Sequence, residues 1–314
     1  MDKATRQIKY SEIFGNTIQG EGQYCGVPSV WVRFFGCNFE CKGFGQKNLN
    51  DPTTWDLPYL DFDVKTIKTL KELPVWHTGC DSSYSFAKKF SKLAKSGTAM
   101  EIANELIELN KSPYNSSGSF VHERSGQESH LVFTGGEPMM NQQGIVDIIE
   151  SLAELKKAPS KITIETNGTR EVKDYLTTFL QERFYRYTSV GGMMDPARES
   201  NELFWSVSPK LRSSGEKWED AIKPEVVAKY DSLSPHGQLK FVVDGSERTW
   251  GEVERAVKLY REEGIDWKVW IMPVGADIEM QDEHAALIAR EAVARGYNVA
   301  VRAHVYLFKN TIGT

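Results

Sequence analysis

Four cysteines occur in the 314 residues, at positions 25, 37, 41 and 80, and their spacing is the first chemical signal in the chain. Cys37 and Cys41 are separated by three residues and follow an apolar, β-branched and aromatic run from Val27 to Phe35 that breaks at Gly36. Such a run predicts a buried strand delivering two thiols to the loop beyond its C-terminal end. Cys80 follows in Gly79-Cys80-Asp81-Ser82. A closed zinc site takes four nitrogen or sulfur ligands, and no Cys-x-x-Cys or histidine pair stands nearby. Three thiolates suit a four-iron cluster with one iron left open to a non-protein ligand. Cys25, in Tyr24-Cys25-Gly26-Val27-Pro28, is either a fourth ligand or a small, partly buried residue of a turn.

The elements that would position these thiols are legible as an alternation. Strands are predicted at 7–14, 27–35, 130–138, 161–169, 203–211, 238–245 and 268–275, with a final strand at 298–308. Helices are expected from Thr98, where Thr98 and Glu101 form a capping box, around Ile145–Leu155, and at 172–185, 247–263 and 279–295, the last two ending at Gly264 and Gly296. Residues 15–22 read as a glycine-punctuated loop and 112–129 as a polar loop. The segment 42–79 carries turn-like Asn48–Pro52 and Leu57-Pro58, a short helix at 64–73, and scattered aromatics, and reads as a folded excursion packed on the surface. Six strands of βα type are too few for a closed eight-stranded barrel, so the expected fold is α/β, either an open partial barrel or a doubly wound sheet.

In either architecture, function collects at the C-terminal ends of the strands. Those ends carry Thr134-Gly135-Gly136-Glu137-Pro138, Glu165-Thr166-Asn167-Gly168, Ser208-Pro209-Lys210, Lys240 with Asp244, and Met272-Pro273-Val274-Gly275. Strands also end in turns for purely structural reasons, but here five ends in succession are polar, charged or glycine-rich. Arg33 sits inside an otherwise apolar strand, where a buried guanidinium requires an anionic partner, from substrate or from a structural carboxylate.

Cys37-x3-Cys41, Cys80-Asp81-Ser82 and Gly135-Gly136-Glu137-Pro138 together resemble a radical S-adenosylmethionine enzyme. More narrowly, Ile18-Gln19-Gly20-Glu21-Gly22, Val32 to Asn38, Glu165 to Thr169, Ser208-Pro209-Lys210 and Leu239 to Val243 resemble the 7-carboxy-7-deazaguanine synthases, over residues 10–307. The resemblance implies one domain, 1–314, an open partial (β/α)6-type barrel with insertions at about 42–79, 112–129 and 175–200. It implies conversion of 6-carboxy-5,6,7,8-tetrahydropterin to 7-carboxy-7-deazaguanine and ammonia, with a [4Fe–4S] cluster, S-adenosyl-L-methionine and Mg²⁺. An electron donor such as flavodoxin or ferredoxin and a homodimer are implied as partners.

Residue by residue, the resemblance makes Cys37, Cys41 and Cys80 the cluster ligands and the Ser82 hydroxyl a Mg²⁺ ligand. It puts Gly79, Asp81, Gly135, Gly136, Ser208, Pro209, Lys210, Met272, Pro273, Val274 and Gly275 at the cofactor. Ile18, Gln19, Gly20, Glu21, Arg33, Thr134 and His304 fall at the substrate; Glu137 either joins the cofactor or caps a turn. The chain departs from the family pattern in placing the long segment 42–79 between the second and third cysteines. It departs again in having Arg302-Ala303-His304 where the family tends to have a glutamine near the histidine. The rival readings are a glycyl-radical-activating enzyme acting on a protein and a zinc-stabilised binding module using all four cysteines.

Bulk properties fit an enzyme of small molecules. The chain is 40% apolar and 26% charged with a net charge of −5, which argues against a polyanion-binding surface. It has no apolar run of the roughly 20 residues that span a bilayer, and its first residues lack a signal-peptide core. The expectation is a cytoplasmic protein without direct contact to nucleic acid or membrane.

Overall fold

The structure is a computed structural model that describes residues 3–184, 201–309 and 311–313. In chain order its elements are β1 (Ile8–Ile18), β2 (Pro28–Phe34), α1 (Pro58–Asp61), β3 (Lys95–Gly97), α2 (Ala99–Leu109), β4 (His130–Gly135) and α3 (Gln142–Glu154). There follow β5 (Lys161–Thr166), α4 (Asp174–Phe184), β6 (Glu202–Val207), α5 (Trp218–Ala221), α6 (Pro224–Leu233), β7 (Gly237–Val243) and α7 (Glu247–Glu262). The last four are β8 (Lys268–Pro273), α8 (Ile278–Ala294), β9 (Asn298–Val299) and α9 (Ala303–Phe308). The sheet order among the described residues is β3-β1-β2-β4-β5-β6-β7-β8-β9. β1 runs antiparallel to β2 and β3, and every pairing from β2 to β9 is parallel. The sheet is open, a partial barrel: the strand count had left this or a doubly wound sheet, and the resemblance implied the partial barrel.

The alternation of each strand explains why the helices pack where they do. Val30, Val32 and Phe34 on β2, Leu131 and Phe133 on β4, Ile162 and Ile164 on β5, and Leu203, Trp205 and Val207 on β6 all point to one face. Leu239, Phe241 and Val243 on β7 and Val269 and Ile271 on β8 continue it. Against that face lie the apolar stripes of the helices, including Ile102, Ala103 and Leu106 of α2 and Ile145, Ile148, Ile149 and Leu152 of α3. The Thr98–Glu101 capping box forms as expected, with Thr98 N donating to Glu101 Oε2 at 2.7 Å. Among the described residues, no helix is long and apolar enough to cross a membrane.

Three sequence expectations are corrected. Residues 298–308 do not form one strand: β9 has two residues, and the chain turns at Ala300 into α9, so His304 stands in a helix. β1 does not stop at a glycine loop but continues through Gly15, whose hydrogen leaves only 2.9 Å between a would-be Cβ and Val30 Cγ1. A glycine read as a turn signal is there a site of close strand approach. Segment 64–73 is two separate 3₁₀ turns, Val64–Thr66 and Leu70–Glu72, because Thr69 and Glu72 cap a new turn in the middle of it. β3 and α6 were not expected at all. Within the insertion at 175–200, residues 175–184 belong to α4 and 185–200 lie outside the described residues.

The 42–79 excursion is closed at its base. Gly79 N donates to Phe44 O at 2.8 Å, so the chain leaves and returns through one neck between Cys41 and Cys80. Tyr59, Leu70, Leu73 and Trp76 build a small core of their own with Tyr84 and Phe90 from the following segment. We predict that Phe90→Ala, by emptying a fully buried site, weakens this small core by roughly 3–5 kcal/mol. Limited proteolysis should then cut within 42–93 before it cuts the sheet domain; an unchanged cleavage order would disprove the separate core.

Candidate active site

The residues opposite the helix-covered face line a cavity of about 290 Å³ at the C-terminal ends of the strands. By alternation, Trp31 and Arg33 on β2, Thr134 on β4, Glu165 on β5, Ser206 and then Ser208 after β6, Lys240 and Val242 on β7, and Met272 on β8 all reach it. The floor is polar and hydrogen-bonded. Gln19 Nε2 donates to Glu165 Oε1 and Thr134 Oγ1 to Glu165 Oε2, both at 3.1 Å. Every residue assigned to the site by resemblance lines this cavity except Pro209, whose neighbours Ser208 and Lys210 do.

Cys37, Cys41 and Cys80 lie together beside Phe39, Phe44 and Ala221, whereas Cys25 is exposed outside the cavity with its thiol directed at Gly20 O. Three backbone devices hold the loops that carry the trio. Gly36 N donates to Ser85 O at 2.7 Å, and Glu137 N donates to Gly36 O at 2.8 Å. A Cβ on Gly136 would collide with the Gly36 carbonyl and come within 2.8 Å of Cys37 Cβ, so this glycine is required by the protein's own close packing. Cys41 itself has a left-handed backbone, φ 47°, an uncommon state for a residue with a side chain. Glu216, after β6, fixes that turn by accepting from Cys41 N at 2.8 Å and Glu40 N at 3.0 Å.

Burial pushes the Cys37 thiol up to about 11, burial with Asp81 pushes Cys80 up to about 12, and burial lifts Cys41 well above the ordinary thiol range. Lys210 pulls all three back toward ionisation, and its Nζ also donates to Ser208 Oγ at 3.0 Å. Thiols so placed become thiolates when metal displaces their protons. Among the described residues, no three His, Cys, Asp or Glu side chains converge as ligands of one ion do. Three thiols packed together against apolar side chains, with the Lys210 cation acting on each, offer the donor set that an iron–sulfur cluster takes. A four-thiol zinc site does not fit, because Cys25 stands elsewhere.

Glu137 proves to be a brace. It is buried and accepts from Met139 N at 2.9 Å, Thr166 Oγ1 at 2.7 Å and Asn167 N at 2.7 Å, tying the end of β4 to that of β5. Arg33 has its anion within the protein: Nε donates to Glu12 Oε1 at 2.8 Å, and Tyr84 OH donates to the same oxygen at 2.9 Å. Its Nη1 extends toward Ser82 Oγ at 3.4 Å, and Ser82 Oγ reaches Asp81 Oδ1 at 3.3 Å.

A buried charge cluster stands at the Gly20-Glu21 turn. Lys240 Nζ is paired with Glu21, and Arg302 Nε donates to Glu21 Oε1 at 3.0 Å while Nη2 donates to Asp81 Oδ2 at 2.6 Å. Burial alone would raise the Glu21 carboxyl; Lys240, Arg302 and His304 outweigh it and hold Glu21 below the usual carboxylate range. Burial and Arg302 push His304 down to about 4, so its ring is neutral at pH 7. Gly20 has no room for a side chain because His304 packs on it. Sequence reasoning named Glu165 and Lys240 among the polar strand ends without giving either a role, and assigned neither Glu216 nor Arg302 to the site. Lys240 carried the same signal as Arg33, a lone charge in an apolar strand, whereas Glu216 and Arg302 came from loops with no local signature.

No family model matches the chain. The 7-carboxy-7-deazaguanine synthase of Rhodopirellula baltica is 25% identical over 310 residues, 94% of this chain and 85% of that protein. The 7-carboxy-7-deazaguanine synthase of Pyrobaculum aerophilum is 26% identical over 311 residues, 99% of each chain. Among solved structures, QueE from Escherichia coli shares the fold with a TM-score of 0.50 and 18% identity over 96% of each chain.

We predict that Cys37→Ala, Cys41→Ala and Cys80→Ala each abolish iron retention after anaerobic reconstitution, while Cys25→Ala leaves iron content at the wild-type level. Iron bound equally by Cys80→Ala, or lost from Cys25→Ala, would overturn the ligand set.

Proposed function

We propose that this chain, similar along its length to the 7-carboxy-7-deazaguanine synthases, catalyses their reaction: 6-carboxy-5,6,7,8-tetrahydropterin to 7-carboxy-7-deazaguanine and ammonia. The observation that carries the reading is that three clustered thiols and a buried, ionised carboxylate, Glu21, line the same cavity. When bound, a [4Fe–4S] cluster and S-adenosylmethionine would supply radical hydrogen-abstraction chemistry at this cavity. A low-potential donor such as a flavodoxin or ferredoxin provides the electron.

In this reading Cys37, Cys41 and Cys80 hold three irons. Lys210 and Ser208 meet the polar end of the cofactor, where Lys210 offsets the negative charge that three thiolates bring. The backbone of Gly135, Gly136 and Met272–Gly275 supplies donors and acceptors beside it. Glu21 keeps lone pairs free after pairing with Lys240 and Arg302, and these accept the amino and ring N–H groups of a pterin edge. Gln19, held by Glu165, and Thr134 orient the same ring. Arg33, whose Nη1 reaches Ser82 Oγ at the cavity lining, and neutral His304 meet the substrate carboxylate. The excursion contributes Phe44, Pro74, Val75 and His77 to the wall, and these exclude water from a reactive intermediate.

The deciding experiment is anaerobic turnover of the carboxytetrahydropterin by the reconstituted, reduced protein, with the product identified by mass. Formation of the carboxydeazaguanine is expected; cofactor cleavage without that product would reject the substrate. Ser82 completes the reading as a Mg²⁺ ligand, since both of its side-chain hydrogen bonds are long, at 3.4 and 3.3 Å, and leave the oxygen available. Ser82→Ala should remove most of the Mg²⁺ stimulation of turnover while iron content stays at the wild-type level; an unaltered Mg²⁺ response would take Ser82 out of the site.

A further inference from the structure

Arg302 lies between β9 and α9, and its side chain is 9% exposed. Its guanidinium donates to three acceptors on three separate segments: Glu21 Oε1 at 3.0 Å, Asp81 Oδ2 at 2.6 Å and Gly275 O at 2.9 Å. Glu21 belongs to the turn after β1, Gly275 to the loop after β8, and Asp81 stands between Cys80 and Ser82. A planar fork with donors at fixed angles sets the relative positions of what it binds, which a single ammonium cannot do. The backbone beneath it is secured independently, because Ala303 N donates to Gly20 O at 2.8 Å.

We propose that Arg302 is a positioning residue that holds the Glu21 carboxylate in register with the Cys80–Ser82 turn, so that the pterin is seated at one depth relative to the cluster. The inference rests on the function proposed above and adds to it a residue that acts through Glu21 and Asp81. With Arg302 removed, Glu21 retains Lys240, and Asp81, 33% exposed in its side chain, turns to water. Charge is then still satisfied on each side, and only the link between them is lost. The expected defect is therefore in substrate seating, with the fold and the cluster intact.

The test compares wild type with Arg302→Gln and Arg302→Lys. In the iron-free proteins, binding of the stable oxidised analogue 6-carboxypterin, followed by its fluorescence, should weaken about tenfold in both variants, the scale of one lost charge-assisted contact. In the reconstituted enzymes the iron content should equal wild type, KM for the carboxytetrahydropterin should rise, and S-adenosylmethionine cleaved per product should increase severalfold. Arg302→Lys keeps the charge and guards against a folding defect in Arg302→Gln. If it restores wild-type binding and coupling, the fork geometry is irrelevant and the inference falls. Equal binding and coupling in a folded Arg302→Gln would overturn it as well. A wild-type protein that holds iron but neither binds 6-carboxypterin nor forms product would instead reject the functional reading itself.

Discussion

The two faces of the parallel sheet obey opposite chemistry, and the rest of the molecule follows from keeping them apart. A strand's side chains alternate between faces, so each apolar residue sent toward the helices obliges its neighbour to face the cavity. On β2, Val32 and Phe34 enclose Arg33; on β7, Leu239 and Phe241 enclose Lys240; on β5, Ile164 precedes Glu165. Helix packing thereby fixes the height at which Arg33, Thr134, Glu165 and Lys240 stand. The helix-side core acts as the ruler for the polar site.

Charges taken out of water must be paired, and this requirement organises the interior. Arg33 is matched by Glu12, Lys240 and Arg302 by Glu21 and Asp81. Because two cations share Glu21, it remains ionised in spite of burial and becomes a strong acceptor for a ligand bearing N–H groups. At the other wall, burial favours neutral thiols, and Lys210 is the cation that opposes it. The cavity therefore has one wall suited to a metal cluster and another suited to a polar heterocycle.

The long segment between Cys41 and Cys80 shows how a detour can leave the thiols on either side of it packed together. Loop-closure entropy grows only logarithmically with length, so a long detour is tolerated if its ends meet. The Phe44–Gly79 backbone hydrogen bond brings them together, and the small core around Tyr59 and Trp76 gives the detour its own stability. The detour also became part of the cavity wall through Val75 and His77, a consequence that its sequence pattern does not announce.

Local order was readable from the chain: the strand leading to Cys37, the Thr98 capping box, the glycine ends of α7 and α8, and the succession of polar strand ends on one rim. These depend on neighbours within a few residues, through alternation, capping and turn chemistry. The residues assigned by resemblance gather at that rim because strand ends in a parallel sheet share one side. Partnership across the fold was not readable. That Arg33 is paired with Glu12, that Glu137 braces Asn167, and that residues 302–304 leave the sheet to dock on Gly20 were decided by contacts between segments distant in sequence. A buried charge announces in the sequence that it needs a partner; which partner it has is a matter of tertiary distance.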